Sequence, residues 1–386
     1  MKKLSVVSTI LIMINTLIVS SVFSKTDDPS LPNVSSEAAI VMEATTGEIL
    51  YEKNAQSQMY PASLTKIATA IYAIENRKLN DVVTISKKAR NTEGTRVYLE
   101  EGEQVTLEKL LLGLLVNSGN DAGVAIAEHI SGSVELFSAD MNLYLEDVIG
   151  LRNTNFENPH GLFDPEHVTT AEDLAKLTRY AMKNDEFMKI FGTKELPWNG
   201  ESWDTTLYTH HKLLREKPYE GVTGGKTGFV PEAGVTLATT AKRENLNLIV
   251  VTLKSDTEAE AYADTVQLLD FGFENFETVS IPKESSFFAG DFEYITPSVF
   301  FYTHQADEQV TIAVKEDEKL RITNQNGALL SSYQFPVVSA SETNLPSNPE
   351  DVRPFFPPGI SSSIYLFLLV VGLSGLVYYR VRKKQL

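Results

Sequence analysis

Apolar positions change their period several times along the chain, and each change marks an element. In "AAIVMEATTGEILYEKN" two apolar segments flank Thr46-Gly47, which predicts a hairpin. In "SLTKIATAIYAIENRKL" the residues Leu64, Ile67, Ala68, Ile71 and Ile74 recur on one side at helical spacing. "TLEKLLLGLLVNSGNDAGVAIAEHI" predicts two helices. Leu110, Leu111, Leu114 and Leu115 belong to the first, and Val124, Ile126 and Ala127 to the second. A polar break at Asn117 to Asp121 divides them. "TTAEDLAKLTRYAMKNDEF" reads as a further helix, with Thr170 three residues before Asp173 in a cap-like start. "GVTLATTAKRENLNLIVVTLKS" predicts two strands joined by a polar turn at Lys242 to Asn245, and "TEAEAYADTVQLLDFGF" a closing helix. Strands at both ends with helices between them predict an α+β domain whose sheet is completed by N- and C-terminal strands.

From about Glu277 the pattern shifts to short β-type segments such as "EYITPSVFFYT", "QVTIAVK" and "LRITNQ". Residues 277–340 are expected to form a small all-β domain after a larger one at 36–275, and the Pro-rich stretch 341–359 a spacer. The N-terminus carries two Lys, a long apolar run and small residues, with Val22 and Ser24 at the −3 and −1 positions of a cleavage site. Residues 1–24 thus read as a secretory signal peptide. Residues 360–379 hold no charge and match a bilayer span of about 20 residues. Tyr378 and Tyr379 close it as interfacial aromatics, and Arg380, Arg382, Lys383 and Lys384 follow in the tail 380–386. That distribution puts the tail in the cytoplasm and the body outside, anchored by a C-terminal transmembrane helix.

Composition narrows the chemistry. The 386 residues carry a net charge of −17 and no cysteine. The acidic balance argues against a nucleic-acid partner, since phosphate binding needs a basic stripe. Without cysteine there are no disulfides and no thiolate zinc sites. The six His, at 129, 160, 167, 210, 211 and 304, form no H-E-x-x-H. His210 and His211 would face opposite sides of a strand. No metal and no other cofactor is expected. A Ser-His-Asp hydrolase is unsupported, because no G-x-S-x-G occurs.

The chemistry begins at "YPASLTKIATA". Ser63 and Lys66 are spaced to share a helix face. A hydroxyl at the helix start sits where the dipole favours developing negative charge. A partly desolvated Lys loses its proton readily, and the neutral amine can serve as base for Ser attack. Ser280 and Lys283 repeat the spacing, but Pro282 lies between them in a strand-like region, so that pair reads as accidental. The first pair has company. "VNSGNDAG" supplies Ser118 and Asn120 in the break between apolar helices, and "GGKTGFV" supplies Lys226, Thr227 and Gly228 before a strand-like segment.

These three elements resemble, in order, the S-x-x-K, S-x-N and K-T-G signatures of the penicillin-recognising serine enzymes. From about Ser36 to Phe273 the wider pattern is similar to the low-molecular-mass penicillin-binding proteins. These are serine-type D-alanyl-D-alanine carboxypeptidases of peptidase family S11. "NPHGLFDPEHVTTAEDLAKL" and "GGKTGFVPEAG" share in that likeness. The resemblance implies a β-lactamase-like catalytic domain, with an antiparallel sheet and a helical cluster. It also implies a bacterial cell-membrane location, a peptidoglycan stem peptide as substrate, and β-lactam antibiotics as covalent inhibitors. By resemblance Ser63 is the acylated nucleophile and Lys66 its base, and Ser118 relays a proton to the leaving amine. Asn120 holds the substrate carbonyl or orients Lys66. Lys226 and Thr227 bind the terminal carboxylate. Gly228 admits the substrate backbone. The backbone N–H groups of Ser63 and Phe229 receive the oxyanion, although the Phe229 side chain offers no donor. Family members commonly use an amphipathic anchor, whereas this chain shows a full span.

Three alternatives stay open. D,D-endopeptidase or transpeptidase activity uses the same acyl-enzyme. A class A β-lactamase needs an E-x-x-L-N glutamate, and the closest string, Glu195 to Asn199, has the wrong spacing. A non-catalytic wall-binding protein would keep the fold and lose side chains of the three motifs, and all three motifs are intact here.

Overall fold

A computed structural model describes residues 31–315 and 317–335. The run at Ala38 forms β1 (Ala38–Glu43), and β2 (Ile49–Lys53) returns beside it as an antiparallel partner. Three long strands complete the sheet: β3 (Val222–Val230), β4 (Gly234–Arg243) and β5 (Leu246–Ser255). The order is β2-β1-β5-β4-β3, so N- and C-terminal segments build one sheet and β3 forms its edge.

All six residues of β1 are buried because both faces of the sheet are covered. Ala39, Val41, Leu248 and Val250 pack under the long helix α7 (Glu258–Asn275) through Leu268, Leu269 and Phe271. Ala38, Ile40, Met42, Ile249 and Val251 face a helical cluster on the other side. That cluster is built from α1 (Thr65–Asn76), α2 (Leu107–Val116), α3 (Asn120–Ser131), α4 (Val134–Tyr144), α5 (Ala171–Ala181) and α6 (Asp185–Phe191).

Several boundaries differ from the sequence reading. The α-helix expected from Ser63 begins at Thr65, after a single 3-10 turn at Ala62–Leu64. The helix expected over "TTAEDLAKLTRYAMKNDEF" splits in two. Thr170 caps α5 by accepting from the Asp173 N–H at 3.0 Å, and Asn184 starts α6 by accepting from the Phe187 N–H at 3.0 Å. A capping Asn inside an apolar pattern restarts the helix in a new direction. The K-T-G residues lie inside β3 and not before a strand. Two adjacent glycines weaken the strand signal there. The Glu195–Asn199 string forms one arm of a hairpin with Asp204–Tyr208.

Beyond α7 the chain forms three small sheets around Ile281, Tyr302, Leu320, Ile322 and Phe335. "EYITPSVFFYT" divides into the strands Phe292–Ile295 and Phe300–Gln305, with Pro297 in the gap. Ser280 lies in a strand of this region, and Lys283 pairs on the surface with Glu284 at 3.5 Å. The expected signal peptide (1–24) and membrane span (360–379) lie outside the described residues. Among the described residues no helix is long and apolar enough to cross a membrane.

Candidate active site

Ser63 sits in the 3-10 turn that runs straight into α1. Its neighbour Ala62 adopts φ of 48°, a left-handed conformation that costs a residue with a Cβ about 1–2 kcal/mol. Several hydrogen bonds hold the turn, among them the Thr65 N–H donating to the Ala62 carbonyl. The Leu64 N–H donates to the Pro61 carbonyl at 3.2 Å. The Thr236 hydroxyl of β4 donates to the same carbonyl at 2.9 Å. The Thr65 hydroxyl donates to the Ala62 carbonyl at 2.9 Å. Strain held in this way by its surroundings is typical of functional turns.

One turn along, Lys66 is fully buried, while Ser63 is half-buried. Lys66 Nζ lies 2.9 Å from Ser63 Oγ, 2.7 Å from Asn120 Oδ1 and 2.7 Å from the His160 carbonyl. Burial holds its pKa well below the ordinary lysine value, and the nearby Lys226 pushes it the same way. Asp121 opposes both. That carboxylate is itself buried and accepts from the N–H groups of Val97 (3.0 and 3.1 Å), Leu99 (3.2 Å) and Ala122 (3.0 Å). Burial pushes the Asp121 pKa up, against those bonds. The structure thus keeps an amine beside the Ser63 hydroxyl in an environment that disfavours its charge.

Ser118 lies in the break between α2 and α3, and Asn120 is the first residue of α3, so the polar break expected to run to Asp121 ends at Gly119. Ser118 holds φ of 61° and is buried. The Asn120 side chain is engaged at both ends: its oxygen faces Lys66 Nζ, and its NH2 donates to the Glu93 carbonyl at 2.8 Å.

Strand β3 forms the opposite wall. Lys226 is buried and donates to the Thr227 carbonyl at 2.8 Å, and burial lowers its pKa to about 7. Gly228 faces the nucleophile turn. A Cβ there would lie 2.8 Å from Ser63 N and 2.4 Å from Thr236 Oγ1, so the close approach of strand to turn requires glycine. The Phe229 side chain is 64% exposed. Ser63, Thr95, Ser118, Thr227, Gly228 and Phe229 line one cleft of about 620 Å³. A larger cavity of about 1080 Å³ along α7 contains none of these residues. All three motifs therefore converge on one place, with Lys66 beneath Ser63 and the buried Lys226 on the strand side.

The loop 157–169 contributes to the site without any local sequence sign of that role. The His160 carbonyl takes a bond from Lys66, and Gly161 packs its Cα against the Ala62 carbonyl. His160 and His167 are both buried. His167 Nε2 lies 2.8 Å from Thr65 Oγ1. His210 and His211 lie just after the strand Asp204–Tyr208 and not in a strand as expected. His210 is exposed at the cleft, and His211 is buried against Thr239 at 2.8 Å. The one available signal was that loop's pairing of His with Gly after Pro159, which marks a turn but not its neighbour.

Residues 25–257 match the family model for D-alanyl-D-alanine carboxypeptidase, peptidase family S11. The chain belongs to this family. Among its curated relatives is the D-alanyl-D-alanine carboxypeptidase DacF of Bacillus subtilis, 33% identical over 350 residues and covering 89% of each chain. The fold of this family member is similar to penicillin binding protein 5 from Haemophilus influenzae. That match has a TM-score of 0.69 and 29% identity, and covers 78% of this chain and 96% of that one. The D-alanyl-D-alanine carboxypeptidase DacD from Francisella tularensis superposes with a TM-score of 0.71 at 25% identity, over 82% of this chain and 95% of the other. The described part of this S11 carboxypeptidase thus has the α+β penicillin-binding-protein fold expected from its motifs.

Proposed function

We propose that the protein removes the terminal D-alanine from a peptidoglycan stem peptide through an acyl-enzyme on Ser63, and that β-lactam antibiotics inhibit it by acylating the same oxygen. The observation that carries this reading is the set of partners around Lys66 Nζ. A neutral amine has two N–H groups and one lone pair. Asn120 Oδ1 and the His160 carbonyl are pure acceptors, and each uses one N–H. The lone pair is left for the third neighbour, the Ser63 hydroxyl at 2.9 Å. Lys66 then takes the Ser63 proton as the oxygen attacks the scissile carbonyl.

The remaining roles follow from position. Ser118, across the cleft, hands the proton to the leaving D-Ala amine. Asn120 orients Lys66, since its NH2 is committed to Glu93. The Lys226 ammonium and the Thr227 hydroxyl receive the substrate's terminal carboxylate. Gly228 leaves room for the substrate backbone. The N–H groups of Ser63 and Phe229 stabilise the oxyanion. Water then releases the shortened peptide. An amine acceptor in its place would make the same acyl-enzyme a transpeptidase. The charge-free run 360–379 and the basic tail support a body held outside the cytoplasmic membrane by a C-terminal span. Truncation after residue 359 should move the protein from membranes to the soluble fraction, and continued sedimentation with membranes would refute the anchor.

The test is D-Ala release from a peptide ending in D-Ala-D-Ala, together with intact-mass detection of a benzylpenicillin adduct. Release with a lasting adduct is expected. Absence of both would overturn the reading, and rapid turnover of the drug with no lasting adduct would favour a β-lactamase.

The two lysines also predict a pH profile. Lys66 acts when neutral, so kcat/KM rises as pH climbs through its lowered pKa. Lys226 binds carboxylate when charged, so kcat/KM falls as pH climbs past about 7 in the free enzyme. Lys226→Arg should carry that alkaline limb out of the measurable range, because guanidinium stays protonated. An unchanged limb in this variant would assign it to another group.

A further inference from the structure

Beneath Ser63 runs a chain of hydrogen bonds that the three motifs do not include. The Glu157 N–H donates to His167 Nδ1 at 2.9 Å, so that nitrogen carries no proton. The neutral ring is then protonated at Nε2, which lies 2.8 Å from Thr65 Oγ1. Thr65 accepts there and donates its own hydrogen to the Ala62 carbonyl at 2.9 Å. Every donor in the chain meets one acceptor. The ring is buried and stacks on Phe156 with centroids 4.9 Å apart and planes 22° apart. Burial lowers its pKa to about 4, which keeps it neutral in ordinary buffers.

The chain ends on one particular peptide group. The Ala62 carbonyl and the Ser63 N–H belong to the same planar amide and point in opposite directions. Fixing the oxygen therefore fixes the direction of the N–H. Ala62 holds a left-handed φ, and its carbonyl accepts the Thr65 N–H of the turn as well as the Thr65 hydroxyl, so losing the hydroxyl loosens one of two bonds that set the direction of this strained peptide. We propose that His167 and Thr65 are positioning residues that aim the Ser63 backbone N–H at the developing oxyanion. The proposal rests on the acyl-enzyme reading above and assigns these two side chains a role in the rate of acylation. Neither touches substrate. The relay acts only on the transition state, where the oxyanion forms, so it should appear in kcat and not in KM.

The experiment measures D-Ala release and benzylpenicillin acylation on the purified full chain, with melting temperature as a folding control. Thr65→Val keeps the shape and removes the hydroxyl. It should lower kcat and the acylation rate on the order of 10-fold or more, with KM within about 3-fold of wild type. Thr65→Ser restores the hydroxyl and should recover most of the rate. His167→Asn retains an acceptor for the Glu157 N–H and is too short to reach Thr65, so it should behave like Thr65→Val. This second variant decides the matter if Thr65→Val does not fold. Wild-type kcat in a folded Thr65→Val or His167→Asn protein would overturn the relay, as would a Thr65→Ser protein no faster than Thr65→Val. A wild-type chain inactive in both assays would instead overturn the acyl-enzyme reading, and the relay with it.

Discussion

The Ser63→Ala protein is expected to release no D-Ala and to form no covalent adduct with benzylpenicillin. The substitution deletes the one oxygen that lies 2.9 Å from Lys66 Nζ at the mouth of the cleft. Lys66 keeps its bonds to Asn120 Oδ1 and the His160 carbonyl, so the base stays in place with nothing to deprotonate. A water in the vacated space would have to attack with no help from covalent catalysis. The expected loss is on the order of 10⁴-fold or more, the scale seen when the nucleophile of a cooperating set is removed. Folding should be spared. Ser63 is half-buried, and its turn is held by Leu64, Thr65 and Thr236, none of which loses a bond. Lys226 and Thr227 are also untouched, so the variant should still bind a D-Ala-D-Ala peptide reversibly. Intact mass after prolonged incubation with the drug is the direct readout. A covalent adduct on the folded Ala variant would transfer the nucleophile to another side chain and remove the mechanism.

Such a variant can be designed from the sequence because the catalytic groups are local signals. Ser63 and Lys66 are one helical turn apart, and Ser118 and Asn120 occupy a polar break that apolar helices on both sides make conspicuous. The sheet was legible for a related reason. The β1 run and the centre of the β5 run are apolar on both faces, and that pattern demands burial on two sides. What stayed hidden depends on contacts across long sequence separations. Lys66 gives no local sign that its third partner is the carbonyl of His160, because any residue can supply a carbonyl. Asp121 reads as a helix-start acid, yet it anchors the Val97 and Leu99 backbone of the cleft wall. His167 resembles a polar loop residue until Thr65 is found against it. The sequence of the edge strand β3 puts Lys226, Thr227 and Gly228 before a strand, because its glycines weaken the strand signal, and only the pairing of Lys226 with Ala238 and Gly228 with Thr236 places them inside one.

Gly161→Ala is expected to be the most damaging single-methyl change in the described molecule. Gly161 sits on the loop whose previous residue, His160, accepts from Lys66, and its Cα faces the turn that carries Ser63. A Cβ added there would lie 1.8 Å from the Ala62 oxygen, 2.3 Å from the Ala62 carbonyl carbon and 3.0 Å from Ser63 N. All three are backbone atoms, so no side chain can rotate away. The residue also holds φ of 89°, which alanine adopts at a cost of about 1–2 kcal/mol. The conformational cost alone would be tolerable against a typical total stability of about 5–15 kcal/mol. The overlap decides the outcome: loop and turn must separate, and separation pulls the His160 carbonyl off Lys66 and shifts Ser63 against Gly228. Either the protein fails to fold or it folds with penicillin acylation reduced by about 100-fold or more, as expected for displacement of reacting groups by an ångström. Gly132→Ala isolates the two causes. Gly132 has nearly the same φ, 85°, and nothing within 4 Å of its missing Cβ. It should lower the melting temperature by a few degrees and leave acylation unchanged. If Gly161→Ala behaved no worse than Gly132→Ala in both melting temperature and acylation rate, the loop would not be packed against the nucleophile turn, and the third hydrogen bond of Lys66 would have to come from elsewhere.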